Sequence, residues 1–173
     1  MSDAAEAPAG WRAGRPAMPS GYGIDPPRDS SYIPWKQIVN RLERARNYWV
    51  VSASAHRGPH AMPVWGLWAD DRFVFSTDPA SQKARNLTAD ARVVVHLESG
   101  DEVVVVEGRA EQALESGRLE SWGQIYQAKY GVPLGDGPVF QVTPDRIFAW
   151  EEAHFPSSAT KWERSGRAQG RRA

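Results

Sequence analysis

Residues 75–87 read FSTDPASQKARNL and lead from a predicted strand into a predicted helix. The strand covers Arg72 to Thr77, where three adjacent apolar residues follow a tight Asp-Asp turn. The helix covers Pro79 to Leu87, which has about two turns of helical pattern. Because the first N–H groups of a helix have no partner within it, this junction offers free donors beside hydroxyl side chains.

Polar and cationic side chains surround this helix start. Ser76 and Thr77 precede it, and Lys83 and Arg85 follow in its opening turns. Free N–H groups and hydroxyls together bind phosphate, and two cations would add full charge. The pattern predicts a phosphate cradle. The alternative is an N-capped surface helix whose basic residues face water.

Periodicity on both sides of this segment predicts the other elements. Strands are expected over residues 48–55, 60–69, 92–98, 102–111 and 139–150, and helices over residues 34–47 and 115–130. Apolar residues on both faces of the strand at 60–69 predict a central position in the sheet. Pro144 cannot donate to a ladder, so we expect a bulge or bend at residues 143–145.

These elements define the fold class. Parallel strands need a crossover helix between each pair, and six strands with two long helices and one short one cannot supply them. We therefore predict a mainly β, α+β fold: a six-stranded antiparallel split β-barrel with flanking helices. The barrel domain is expected over residues 32–162, with a flexible N-terminal arm at 1–31 and a flexible basic tail at 163–173.

Composition excludes several classes of chemistry. The chain has no cysteine, which removes disulfides, thiolate nucleophiles and cysteine-ligated metals. Lys plus Arg and Asp plus Glu both number 21, so the net charge gives no reason to expect nucleic acid or an anionic membrane as a partner. The sequence shows no signal peptide and no membrane span, and a cytoplasmic protein is expected.

The histidines and glycines do not form a recognised catalytic or metal motif. His56 and His60 have the spacing of helical metal ligands, but Gly58-Pro59 between them breaks any helix, so no metal is expected. His96 lies on a predicted strand, where a hydrogen-bonded barrel histidine is expected. Nucleophile elbows, Walker loops and dinucleotide fingerprints are absent from the sequence. No residue is assigned a catalytic role.

Short motifs occur in an order that resembles a known family. They are Trp49, Gly58-Pro59-His60, Pro63-Val64-Trp65-Gly66, Phe75-Ser76-Thr77, Lys83-Ala84-Arg85-Asn86-Leu87 and Glu107-Gly108. In this order they look like the pyridoxamine-phosphate-oxidase-like split barrels that bind FMN. More narrowly, the chain is similar to the actinobacterial branch of flavin- and deazaflavin-dependent oxidoreductases, from about Ile33 to Trp162.

The resemblance implies a homodimer with a cofactor at each subunit interface. It implies that phosphate is held near Ser76, Thr77, Lys83, Arg85 and Asn86. Residues Met62, Pro63, Val64 and Trp65 would line the ring. The strand at the C-terminal end of the domain would reach the partner's site, which makes Trp150, Lys161 and Trp162 candidates for a wall contributed in trans; ordinary dimer-core aromatics are the alternative.

The expected function is an oxidoreductase. A bound deazaflavin, coenzyme F-420 by first choice, or FMN would exchange hydride with a small conjugated acceptor. The alternatives are a non-catalytic dimer that stores or senses a flavin or haem, and a structural dimer with a degenerate cleft. Residues 156–162 do not resemble the substrate-phosphate motif of the true pyridoxamine phosphate oxidases, so vitamin salvage is not expected.

Overall fold

A computed structural model describes residues 7–19, 21, 32–54 and 56–165. The strands are β1 Trp11–Gly14, β2 Asn47–Ser54, β3 Gly58–Trp65, β4 Leu67–Ala69, β5 Arg72–Ser76, β6 Arg92–His96, β7 Glu102–Gln112, β8 Val139–Glu151 and β9 Thr160–Arg164. The helices are α1 Trp35–Arg44, α2 Gln82–Ala89 and α3 Ser116–Tyr130, and a 3₁₀ turn covers Glu152–His154.

Every ladder of the sheet is antiparallel, and the strands curl into a split barrel. The main path runs β1-β9-β8-β7-β6-β2-β3, while β5 pairs with both β4 and β8. Only Gly66 separates β3 from β4, so β2, β3/β4, β5, β8, β7 and β6 follow one another around the barrel. Near the split, β3 and β5 approach each other without pairing. The predicted fold class is confirmed, with two additional short strands outside the barrel.

The strand predicted at residues 60–69 is not central, and this prediction is wrong. It breaks at Gly66, and among the described strands β3 pairs with β2 alone. Met62 and Trp65 on β3 are 45% and 40% exposed. An apolar run on both faces indicates burial only if other elements cover both faces, and these two side chains, one on each face of β3, both stay partly open. The break requires glycine at position 66, because a Cβ there would overlap the Phe73 ring.

The expected irregularity in the last strand is confirmed. Along the β7–β8 ladder, Glu107 pairs with Arg146 and Gly108 with Pro144, so the register skips Asp145. This is a β-bulge, which bends the strand and increases its twist. The bulge divides β8 into a first half that pairs with β5 and a second half that pairs with β9.

The expected flexible arm at 1–31 contains an ordered strand. Trp11–Gly14 pair with Lys161–Arg164 of β9, so the expectation does not hold for these residues. Trp11 is 8% exposed and its ring centroid lies 4.8 Å from that of Trp35. Burying one indole offsets the cost of ordering a short segment that is otherwise rich in Pro and Gly.

The two ends of the predicted domain differ in how much of them the structure describes. The expected tail at 163–173 begins inside β9, because Glu163 and Arg164 belong to that strand. The remaining parts of the two predicted tails, residues 1–6, 20, 22–31 and 166–173, lie outside the described residues.

Two apolar clusters hold the barrel and its helices together. Alternate residues of the strands, such as Tyr48, Val50 and Val95, point inward and pack against α1. A second cluster lies outside the barrel, where Trp122 and Tyr126 of α3 pack on β4 and β5. The cores place α2 beside β2 and the C-terminal end of α3 beside the β3–β4 break.

Candidate functional site

The start of α2 forms a corner of hydroxyls and free backbone donors. Ser81 is the N-cap, and its hydroxyl accepts a hydrogen bond from the Ala84 N–H at 3.1 Å. The Thr77 hydroxyl lies 3.1 Å from the Ser81 hydroxyl. The first N–H groups of a helix have no partner in the helix itself. The corner therefore has the donors that an anionic group needs.

Lys83 in this corner is a buried cation. It is 8% exposed, and its ammonium neither donates a hydrogen bond to a described residue nor forms an ion pair with one. Burial lowers the pKa of the Lys83 ammonium below its usual value. Partial desolvation of a cation is costly, and a bound anion offsets that cost. The donor set therefore fits a phosphate group.

Arg85 lies on a different face of α2 from Lys83. Its guanidinium donates to the Ala80 carbonyl and, at 3.1 Å, to Gln82 Oε1. It lines an open pocket of about 770 Å³ together with Arg57 and Arg92, and Lys83 is not part of that wall. The structure thus separates the two cations that the sequence analysis assigned to one cradle.

The other predicted residues around α2 make structural ties. Asn86 is buried; its amide donates to the Ser52 hydroxyl at 3.0 Å and accepts from Gln82 Nε2 at 2.7 Å. These bonds fasten α2 to β2. The Ser76 hydroxyl lies 3.5 Å from the Gly137 carbonyl oxygen, so it faces the loop before β8. Of the predicted hydroxyls, Thr77 is the one in contact with the helix N-cap.

The predicted ring-binding residues form the exposed edge of the split barrel. Met62, Pro63 and Trp65 are exposed along β3, whereas Val64 is partly buried against the core. Because β3 approaches β5 without pairing, and β5 leads into Thr77, this strip and the α2 corner flank the same split. Exposed apolar side chains beside a cationic corner suit a flat ring with an anionic tail.

The three residues expected to act in trans lie near the other end of β8, with Trp150 on β8 itself and Lys161 and Trp162 on the neighbouring β9. Ser76 pairs with Val139, the first residue of β8, whereas Trp150 pairs with Val103 near its end. The two positions are separated by roughly 35 Å of extended strand. The structure therefore does not bring these residues to the α2 corner of their own chain, and a role in the partner's site stays a prediction.

Each of these three residues makes contacts within its own chain. The Trp162 indole N–H donates to the Ile33 carbonyl at 3.1 Å. Lys161 forms an ion pair with Glu163 at 2.9 Å. The Trp150 ring centroid lies 6.1 Å from that of Phe155.

Sequence reasoning missed an aromatic and cationic cluster behind β3. Trp65 is stacked on Tyr130, the last residue of α3, with centroids 4.9 Å apart and planes 8° from parallel. The Arg46 guanidinium lies 5.1 Å from the Trp65 centroid. The one signal in the sequence was Lys129, a cation at an apolar position of the α3 helical pattern.

Lys129 connects this cluster to the barrel interior. Its ammonium donates to the Tyr48 hydroxyl at 2.8 Å and to the Gly66 carbonyl at 3.2 Å. Burial lowers the pKa of Lys129 to about 8, with a smaller opposing effect of Glu43. Burial also raises the pKa of Tyr48 above its usual range, and Tyr130 adds to that effect. Two hydrogen-bonded polar groups behind β3, Lys129 and Tyr48, therefore have shifted pKa values.

The histidines are dispersed. The His96 ring is stacked on Trp49, and its Nδ1 lies 2.8 Å from the Leu97 carbonyl oxygen. His154 Nδ1 lies 3.2 Å from Glu151, and His60 Nδ1 is buried without a partner among the described residues. Within the described ranges, no group of three or more His, Asp and Glu side chains could hold a metal ion.

The fold and the site together define a class: a split β-barrel with an exposed apolar edge strand and a cationic helix corner. Residues 34–151 match the family described as Pyridoxamine 5'-phosphate oxidase. The chain belongs to this family. No curated protein compared with the chain matches it.

Solved structures share the fold. A conserved hypothetical protein from Mycobacterium tuberculosis is 24% identical, with a TM-score of 0.62, over 72% of this chain and 88% of that one. An F-420 reductase is 19% identical, with a TM-score of 0.51, over 62% and 93%. A heme binding protein from Mycobacterium smegmatis is 17% identical, with a TM-score of 0.52, over 65% and 50%. Among the described residues, no helix has the length and apolar character needed to cross a membrane.

Proposed function

We propose that this protein is an oxidoreductase that binds a flavin-type cofactor, with the deazaflavin F-420 as first choice and FMN as second. The observation that carries the proposal is Lys83, a cation that is 8% exposed at a helix N-terminus and has no partner among the described residues. A phosphate group at this corner would pair the ammonium and accept from the N–H groups of the helix start.

The edge strand β3 would hold the ring. Pro63 and Trp65 offer apolar and aromatic surface on one face of β3, and Met62 on the other; Val64 anchors the strand to the core. When bound, the cofactor supplies the hydride chemistry. The protein's own residues orient the ring, hold the phosphate and exclude water, and the proposal needs no protein acid or base.

A second copy of the chain completes the proposed site. The outer face of the sheet carries Trp49, Val51, Val94, Val105 and Phe148, which share one side of β2, β6, β7 and β8 and are only partly buried in one chain. A dimer through this face would bury them. It would also bring Trp150, Lys161 and Trp162 toward the partner's cofactor, as the family resemblance implies.

A titration with separate variants tests the phosphate site. We expect FMN or F-420 to bind the wild type and Lys83→Met to weaken binding about 10- to 100-fold, since hydrogen bonds to a charged group contribute about 1.5–3 kcal/mol. Arg85→Met is the matched control, because Arg85 lies on the other face of α2; its effect should stay within about threefold. Equal losses in both variants, or none in Lys83→Met, would contradict the assignment.

A non-catalytic binding dimer is the second candidate. The heme binding protein from M. smegmatis shares this fold, so the architecture alone does not require turnover. Steady-state reduction of an added acceptor by the loaded protein separates the two functions. Cofactor binding without any turnover across a panel of conjugated carbonyl acceptors would favour storage or sensing.

A further inference from the structure

The exposed indole of Trp65 forms the open end of a column of three rings. Tyr126 is buried in the cluster beneath α3, and its ring centroid lies 4.5 Å from that of Tyr130. Tyr130 in turn is stacked nearly parallel on Trp65 at 4.9 Å. The column therefore runs from the α3 cluster outward to β3 and ends at a side chain that is 40% exposed.

The geometry of Arg46 shows that it lies on the same side of the Trp65 indole as Tyr130. Its guanidinium carbon lies 5.1 Å from the Trp65 centroid and 5.6 Å from the Tyr130 centroid. These distances and the 4.9 Å between the rings form a nearly equilateral triangle. A cation across the opposite indole face would lie much farther from Tyr130. The face of Trp65 that points away from Tyr130 thus carries neither group.

Hydrogen bonds hold the backbone of Gly66, the residue that follows Trp65. The Gly66 N–H donates to the Tyr130 hydroxyl at 3.0 Å. That hydroxyl lies 2.8 Å from the Gly66 carbonyl and 2.7 Å from the Arg46 carbonyl, to one of which it donates. The Lys129 ammonium donates to the Gly66 carbonyl as well. Both polar groups of the β3–β4 break are therefore held by the last two residues of α3.

We propose that Tyr130 and Lys129 are positioning residues that hold Trp65 as a rigid stacking platform for a planar conjugated ring of the flavin type. The inference rests on the proposed function, because it assumes that such a ring lies on β3. It adds to the proposed function a specific face of Trp65 for the ring. It also adds Tyr130 and Lys129, which contact Trp65 and Gly66 and do not contact the ring themselves. An offset stack on a preoriented indole contributes about 0.5–1.5 kcal/mol beyond area burial.

Lumiflavin, the isoalloxazine ring without its phosphate, isolates this platform from the Lys83 corner. The full-length protein is titrated with lumiflavin, and the quenching of tryptophan emission is measured. The same titration of Trp65→Phe gives the quenching due to the other seven of the eight tryptophans. We expect quenching of Trp65 in the wild type. Tyr130→Leu should weaken binding about 2- to 13-fold, the range that corresponds to the energy of one aromatic pair.

Conservative and matched variants separate positioning from folding. Tyr130→Phe keeps the stack and should restore most of the affinity. Tyr126→Leu makes the same replacement one turn earlier, where the ring touches Tyr130 and not Trp65, and it should change affinity less than twofold. Absence of Trp65 quenching in the wild type, or equal losses in Tyr126→Leu and Tyr130→Leu, would overturn the proposal.

A further variant keeps the proposal decidable if Tyr130→Leu does not fold. Lys129→Met removes the ammonium from the Gly66 carbonyl, and we expect about a two- to fivefold loss of lumiflavin affinity, as for one net hydrogen bond. Unchanged affinity in Lys129→Met would then overturn the proposal. Failure of the proposed function is distinguishable, because Lys83→Met should weaken FMN binding and leave lumiflavin binding unchanged.

Discussion

At the scale of single residues, the site depends on cations whose environment opposes their charge. Lys83 and Lys129 both have lowered pKa values, in each case mainly because of burial. Lys129 has hydrogen-bond acceptors in Tyr48 and Gly66, whereas Lys83 has no partner among the described residues. This contrast separates a structural ammonium from one that is available to an anionic ligand.

The lowered pKa of Lys129 predicts a pH dependence of stability. The native pKa is about 8 against 10.5 for the free side chain, so between these values the unfolded chain binds more protons than the native protein. The free energy of unfolding should therefore rise with pH from about 8. Above about pH 10 the trend reverses, because the raised pKa of Tyr48 makes the native state the one that retains a proton.

Urea denaturation from pH 7 to 10 tests this prediction, with Lys129→Met as the comparison. The lowered pKa of Lys83 also makes the free energy of unfolding rise with pH. The part of this rise that is lost in Lys129→Met is therefore assigned to Lys129. Lys83→Met should retain that part. A wild-type curve parallel to that of Lys129→Met over this range would show that Lys129 is charged normally in the native protein.

At the scale of elements, two glycines determine how the strands bend. Gly66 lets β3 break from β4, and Gly108 faces the bulge of β8. Neither has a positive φ; each is needed because another group occupies the space of a Cβ. A Cβ on Gly108 would overlap the Thr143 carbonyl oxygen.

Gly108→Ala should therefore destabilise the barrel. We expect a loss of about 1–3 kcal/mol in the free energy of unfolding, as for overpacking in a close-packed interior. Gly123→Ala is the control, because Gly123 lies in α3 with open space around it; that change should stabilise the protein by about 0.5–1 kcal/mol through helix propensity. Urea midpoints that shift in the same direction in both variants would contradict the account of the bulge.

At the scale of the whole molecule, the partly buried outer face of the sheet is the surface on which the proposed dimer depends. The formal net charge is zero at pH 7, so long-range repulsion does not oppose association of two copies. A row formed by Trp49, His96, Val105 and Phe148 crosses four strands of this face and is apolar except for His96. An apolar surface of this kind is typical of an interface.

Val105→Asp should break the dimer and weaken cofactor binding with it. Burying a carboxylate among apolar side chains at the interface is costly, whereas the same charge is tolerated on an exposed face. Ile125→Asp, on the exposed side of α3, should leave both properties unchanged. Light scattering coupled to size exclusion gives the mass, and a monomeric wild type would contradict the dimer at once.

Much of this architecture is predictable from local pattern. The helix at 115–130 and the strand at 139–150 differ from the observed α3 and β8 by one residue at one end. The bulge follows from Pro144, whose missing N–H interrupts the ladder whatever surrounds it. The predicted helix at 79–87 begins three residues early, because Asp78, Pro79 and Ala80 form a turn before the Ser81 cap.

The candidate site was predicted only in part. Lys83 and Arg85 are two residues apart, and the sequence places both in the opening turns of α2, but burial against β2 sends one inward and leaves the other in an open pocket. The outer face of β3 was expected to be buried, because the sequence cannot distinguish an apolar face covered by protein from one left open.

By itself, the sequence determined the order of the elements, the antiparallel barrel, the bulge and the polar start of α2, since periodicity, proline and capping act over a few neighbouring residues. Only the tertiary structure decided that Tyr130 stacks on Trp65, which lies 65 positions earlier, and that the Lys83 side chain is largely buried. Stacking and burial depend on which elements, distant in sequence, pack together, and a local sequence pattern does not determine that packing.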